Sequence, residues 1–222
     1  MRLMAVMAHP DDAEIWCGGT LMRHAERGDD VRICTLSYAQ DSQRGSEASE
    51  SARQMGCQVE LLGMQDVAIR DTEEAVDGVW PCIESFQPDT IITHWHDDMH
   101  PDHEATFCLV RRALLQCFLN ETFTDIQSVP RIFCCDSLSS MGLHGPFKPD
   151  RYVDVTDSWD KKIAAINIHQ SQPLWIYLEM IDQQCLAHGR DSGNQRSEAF
   201  LYLPLFGLTD NGPPLGGTMF GV

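Results

Sequence analysis

The sequence predicts an α/β fold, a three-layer Rossmann-like arrangement in which a mainly parallel sheet is flanked by helices. Three observations carry that prediction. Short apolar runs of strand length alternate with longer helical patterns. The 222 residues suit one domain of ordinary size with a sizeable core. A hydrophobic content of 43% and a charged content of 22% are those of a soluble globular chain.

The elements follow in order. Residues 3–7 read as a buried first strand, and 13–27 as a helix ended by Gly28. Residues 31–36 read as a second strand, 45–55 as a helix closed by Gly56, and 58–62 as a third strand. A helix over 72–86 is stopped by Pro88, and 90–93 is a fourth strand. A long helix over 102–119 carries an apolar stripe at Leu109, Ala113, Leu114 and Phe118, with Pro101 suited to its first position and His100 to its N-cap. Residues 131–134 and 153–155 read as further strands. Asp157 and Ser158 then cap a helix running through His169. The domain covers 1–205, and 206–222, rich in Gly and Pro, read as an irregular tail.

Two polar clusters stand out because of where they fall. AHPDD, residues 8–12, follows the first strand, and HWHDDMHPDH, residues 94–103, follows the fourth. In an open α/β sheet, ligands bind beyond the carboxyl ends of the strands. Imidazole and carboxylate at short spacing are zinc-like ligand chemistry. The i, i+3 spacing of His100 and His103 lets both imidazoles project from one end of a helix. The two clusters converge only if their strands are neighbours, and that is the central structural expectation.

Composition excludes several classes. Sixteen basic against 33 acidic residues give a net charge of -17, which argues against nucleic acid and against anionic membrane surfaces. No apolar run approaches the roughly 20 residues that span a bilayer. The short apolar N-terminal run, interrupted by His9, is not a signal peptide, so the expected location is cytoplasmic. The nine cysteines show no CxxC spacing and read mostly as buried small hydrophobes. No GxGxxG follows the first strand, so a dinucleotide site is not expected.

The pairing of AHPDD with HPDH at 100–103 resembles the LmbE-like, or PIG-L, family of zinc-dependent N-acetylglucosamine deacetylases. CGGTL at 17–21, RGSE at 44–47, Lys162 with HQSQ at 169–172, and SEAF at 197–200 agree with that resemblance. It implies a hydrolase that removes the N-acetyl group from an N-acetylated amino sugar by zinc-activated water. It implies His9, Asp12 and His103 as metal ligands, three being the number that leaves a catalytic zinc open. Fe2+, Co2+ or manganese also suit such a set. Asp11 resembles the family's general base, against a plain helix cap. His100 reads as a donor to the oxyanion, kept protonated by Asp102, or as only a cap or supporting residue. Arg44 reads as a substrate-binding residue or a solvated surface arginine. Asp98 reads as a carboxylate orienting a ligand histidine or capping a turn. His94 and His96 read as supporting or surface residues, and His24 and His188 as surface. Trp95, Trp159 and Trp175 read as core or as walls of a sugar site. The resemblance also implies a closed homo-oligomer. Two other readings keep the site: an amidase of a thiol-sugar conjugate or antibiotic precursor, and a non-catalytic metal-binding protein. Against the latter, Asp11 and His100 stand beside an open three-ligand set.

Overall fold

A computed structural model describes residues 1–123 and 129–205, together with Gly212 and Leu215. The expected tail, 206–222, otherwise lies outside the described residues. Among the described residues, seven strands form one sheet: β1 (Arg2–Met7), β2 (Asp30–Ser37), β3 (Gln58–Met64), β4 (Thr90–Thr93), β5 (Arg131–Cys135), β6 (Arg151–Asp154) and β7 (Ser197–Leu203). Their order is β3-β2-β1-β4-β5-β7-β6. The β3-β2-β1-β4-β5 pairings are parallel, and β7 runs antiparallel to both β5 and β6. The sheet is therefore mainly parallel, as expected.

Among the described residues, six α-helices cover it: α1 (Asp12–Glu26), α2 (Gln43–Met55), α3 (Glu73–Phe86), α4 (Pro101–Leu119), α5 (Trp159–Ile166) and α6 (Leu174–Ser192). The two-residue period of β1 shows how the layers form. Leu3, Ala5 and Met7 pack with α1, α2, α5 and α6, while Met4, Val6 and Ala8 pack with α3 and α4. All six are fully inaccessible to solvent. Burying each Leu or Met side chain contributes about 1.5–3 kcal/mol. A strand buried on both faces must read as a continuous apolar run, which is why β1 is legible in the sequence.

Four expectations need correction. The helix after β6 ends at Ile166, not His169. α6 was not expected, because its buried stripe, Ile181, Cys185, His188 and Gly189, includes two residues that do not read as apolar. β7 takes the place of the SEAF segment and slots between β5 and β6, a non-local pairing that sequence order hides. His24 and His188 are buried rather than on the surface: His24 Nδ1 pairs with Asp29 and His188 Nε2 with Asp136.

Behind the first helix lies a buried ion pair. Lys162 Nζ donates to Glu198 Oε1 (2.5 Å) and to the Ile15 carbonyl (2.8 Å). Glu198 also accepts from the Gly19 and Thr20 backbone N–H groups and the Thr20 hydroxyl. With all its partners present, this pair ties α5 and β7 to α1, whose first turn carries the polar cluster.

Candidate metal centre and pocket

Strands β1 and β4 lie side by side, with Val6 paired to Thr93, and here the strand order reverses. That reversal point is where an open α/β sheet leaves a crevice at its carboxyl edge. AHPDD leaves β1 and HWHDDMHPDH leaves β4, so the crevice brings the two clusters together. The stitching is direct: the Ala8 N–H donates to His94 Nε2 (3.0 Å), and the Thr93 hydroxyl donates to the Val6 carbonyl (2.9 Å).

Asp12 is the centre of the cluster. Its Oδ2 accepts from the His9 backbone N–H (2.8 Å) and lies 3.3 Å from His9 Nδ1 and 3.2 Å from His94 Nε2; its Oδ1 lies 3.5 Å from His103 Nε2. Burial alone would raise the Asp12 carboxyl, but the His103 charge and hydrogen bonds from His103 and His9 hold it well below the usual carboxylate range. Burial pulls His103 down, yet Asp12 and Asp98 outweigh it and hold its imidazole near 10. The cluster thus attracts positive charge between these side chains.

The outer nitrogens of the two histidines are held by other carboxylates. His103 Nδ1 pairs with Asp98 Oδ2 (3.0 Å). His9 Nε2 pairs with Asp102 Oδ2 (3.2 Å) and Asp66 Oδ1 (3.1 Å). An ion binding here would displace the protons facing Asp12; with protons kept on the outer nitrogens, His9 Nδ1 and His103 Nε2 then offer lone pairs beside the Asp12 carboxylate. Two imidazoles and one carboxylate, each imidazole backed by a carboxylate, are the donor chemistry of a divalent transition ion. The ligand atoms of His9, Asp12 and His103 lie within 4.8 Å of one another, so the residues fit such an ion.

The Asp102 carboxylate pairs with His9 and also lies within 4.8 Å of a His100 nitrogen, where its charge favours a protonated His100. His100 Nδ1 accepts the Asp102 backbone N–H (3.2 Å) as the N-cap of α4. Burial and the neighbouring His103 and His9 charges pull His100 below its ordinary pKa. With Nδ1 accepting, the ring proton belongs on Nε2, which leaves His100 a donor there. Asp98 both orients His103 and accepts the His100 backbone N–H (2.8 Å). His94 is buried and stacked on His103 at 3.8 Å, and burial pushes it down to about 4.

Asp11 occupies the N-cap position of α1 at φ 108°, a left-handed conformation, and its side chain makes no capping bond. Such backbone costs about 1–3 kcal/mol and persists where the surroundings impose it. The carboxylate is left to meet Arg44, whose Nη2 donates to Asp11 Oδ1 (3.1 Å) and to the Pro10 carbonyl (2.6 Å). Burial, then the Asp12 charge, push the Asp11 carboxyl up to about 7 against the pull of Arg44. Arg44 is not a solvated surface arginine: its side chain is 13% exposed and its guanidinium lies 4.7 Å over the Tyr38 ring. Gly45 makes this placement feasible, because a Cβ there would come 2.1 Å from the Ala39 carbonyl oxygen.

These residues line a cavity of about 400 Å³ with Ile15, Trp16, Asp66, Val67, Met99, Leu138 and Tyr177. Asp66 and Tyr177 were missed by sequence reasoning. Asp66 follows β3, so the strand-end rule that found His9 could have found it. It accepts from the Tyr38 hydroxyl (2.7 Å) and lies 3.8 Å from Arg44. Tyr177 sits on the unexpected α6. Of the three tryptophans, Trp95 is buried, Trp159 is half-buried against the core, and Trp175 is 75% exposed; none lines this cavity. His96 is exposed, and the exposed His144 pairs with Asp97. The cysteines are free, and all but Cys57 and Cys108 are buried.

Comparison with known proteins follows the same lines. A family model described as PIG-L: GlcNAc-PI de-N-acetylase matches residues 4–114. The chain is 24% identical over 207 residues to the 4-oxalmesaconate hydratase of Pseudomonas putida KT2440, covering 82% of this chain and 78% of that protein. It is 26% identical over 227 residues to the 1D-myo-inositol 2-acetamido-2-deoxy-alpha-D-glucopyranoside deacetylase of Mycobacterium sp. strain KMS, covering 77% and 74%. The crystal structure of the conserved protein TT1542 from Thermus thermophilus superposes with a TM-score of 0.78 at 27% identity, covering 91% of this chain and 94% of that one.

Proposed function

The chain belongs to the PIG-L family, and from that premise we propose that it is a metal-dependent hydrolase removing the N-acetyl group from an N-acetylated amino sugar. The observation that carries this reading is an open His2Asp set with a second, unliganded carboxylate beside it. His9, Asp12 and His103 would hold the ion, with zinc the expected metal. When bound, such an ion supplies Lewis-acid polarisation of the acetyl carbonyl and acidifies water.

The chain's own groups divide the remaining work. Asp11, pushed up to about 7, is poised to take a proton from the attacking water and pass it to the leaving amine. His100 offers its Nε2–H to the developing oxyanion. Arg44 and Asp66 present a fork of donors and a carboxylate suited to sugar hydroxyls. Val67, Met99 and Leu138, 67%, 44% and 43% exposed, form an apolar rim for the rest of the conjugate.

The hydratase relative raises the competing chemistry. A substrate with the carboxylate groups that its name specifies calls for several free cations. Arg44 is the lone Lys or Arg among the described residues lining the cavity, and it already faces Asp11 and Asp66. That charge balance favours an uncharged N-acetyl group. The test is free-amine release from N-acetylated amino sugars, free, glycosidically linked and nucleotide-linked, with zinc and with chelator. Chelator-sensitive release supports the reading. Metal-loaded protein that releases no amine but hydrates an unsaturated carboxylic acid overturns it.

A further inference from the structure

Behind the catalytic cavity lies a second, much smaller one of about 20 Å³, lined by Ile15, Trp16, Asp136, Lys162, Ile181, Gln184, Cys185, His188, Glu198 and Ala199. Three buried polar atoms on its lining residues have no hydrogen-bond partner: Trp16 Nε1, Gln184 Oε1 and His188 Nδ1. An orphaned buried polar atom costs about 1–3 kcal/mol, so three beside one void require an explanation.

The neighbours fix what each atom wants. The two hydrogens of Gln184 Nε2 are shared among Asp136 Oδ2 (3.0 Å), the Ser137 carbonyl (2.9 Å) and Ser140 Oγ (3.0 Å), so the amide orientation is set and Oε1 is the acceptor. His188 Nε2 faces Asp136 Oδ2 at 2.7 Å; the tautomer that suits this carboxylate carries its proton on Nε2 and leaves Nδ1 as an acceptor. Trp16 Nε1 is a donor only. One donor and two acceptors exclude simple ions: a cation would face the indole N–H, and an anion would face Gln184 Oε1. Water accepts once and donates twice. A site for one water needs about 10–15 Å³ and typically supplies about three hydrogen bonds.

We propose that this cavity is a built site for a single internal water molecule bridging Trp16 on α1 to Gln184 and His188 on α6. Trp16 and Ile15 line both cavities, so the water fixes one wall of the catalytic pocket from behind. Tyr177, on the same α6, lines the pocket from the front. Trp16 is thereby a positioning residue: its indole N–H sets the pocket wall without touching the reacting atoms.

Two measurements on the full-length protein test this. A high-resolution crystal structure is expected to show one density peak within hydrogen-bond distance of all three atoms. In 15N-tryptophan-labelled protein, the Trp16 indole proton, assigned by its disappearance in Trp16→Phe, is expected to show a cross-relaxation peak to a long-lived water. Trp16→Phe keeps an aromatic side chain but removes the donor, so the density is lost and KM rises several-fold, by more than any change in kcat. An empty cavity in the wild-type crystal, or an indole proton without water contact, overturns the proposal. So does a Trp16→Phe variant that keeps both the water and the native KM.

Discussion

Asp12 and His103 come within 3.5 Å of each other although one opens α1 and the other lies in the first turn of α4. Adjacency of β1 and β4 at the reversal of strand order makes that approach unavoidable. The site is thus a consequence of topology, and the side chains around it show how it is tuned.

Asp11 has no capping bond and stands beside the proposed ligands, so its role is chemical. Asp11→Asn is expected to lower kcat by about 10²–10⁴ while the protein still binds one metal per chain. Steady-state kinetics with metal analysis checks this, and near-native turnover removes Asp11 from the mechanism.

Asp98 and Asp102 hold the outer nitrogens of His103 and His9. Asp98→Asn and Asp102→Asn are each expected to weaken metal affinity about 10–100-fold. Competition titration against a chelator of known affinity measures the loss. If Asp102 instead served only to protonate His100, its variant would bind metal normally and lose turnover.

Arg44 and Asp66 stand side by side on the pocket wall, 3.8 Å apart. Asp66→Ala is expected to raise KM with a smaller effect on kcat. Arg44→Lys is expected to behave more like Arg44→Ala than like wild type, because a lysine cannot reproduce the forked contact to Asp11 and the Pro10 carbonyl. Kinetic constants for the three variants decide this.

The Lys162–Glu198 pair is costly to break from one side. Lys162→Met is expected to cost about 3–5 kcal/mol by leaving Glu198 buried and uncompensated, and the double variant Lys162→Met with Glu198→Gln less than that. Urea unfolding of the two variants gives the comparison.

Burial pulls His24 down to about 4 against its hydrogen bond with Asp29. An unfolded histidine titrates near 6.5, so between about 6.5 and 4 the unfolded chain binds more protons than the folded one. Stability from this group is therefore present above about 6.5 and lost as pH falls towards 4. His24→Asn is expected to flatten that part of the stability profile, read from unfolding midpoints at successive pH values.

The sequence was legible where polarity follows an apolar run. β1 and β4 are buried on both faces, so His9, Asp12, His100 and His103 stand out just past their ends. β3 is only half-buried, and Asp66 after it drew no attention. α6 was hidden because His188 and Gly189 occupy its buried face, and Tyr177 was lost with it. The contact of Asp102 with His9 was not readable at all. Its position between two histidines suggested His100, and the approach of β1 to α4 brings the same carboxylate to His9 as well.

Anomalous diffraction at the zinc edge from metal-loaded crystals tests the central claim most directly. The account predicts one peak within about 2.0–2.2 Å of a nitrogen of His9, a nitrogen of His103 and a carboxylate oxygen of Asp12, with Asp11 unliganded beside it. A peak held instead by His94, Asp98 and His103, or a fourth protein ligand closing the site, would contradict it.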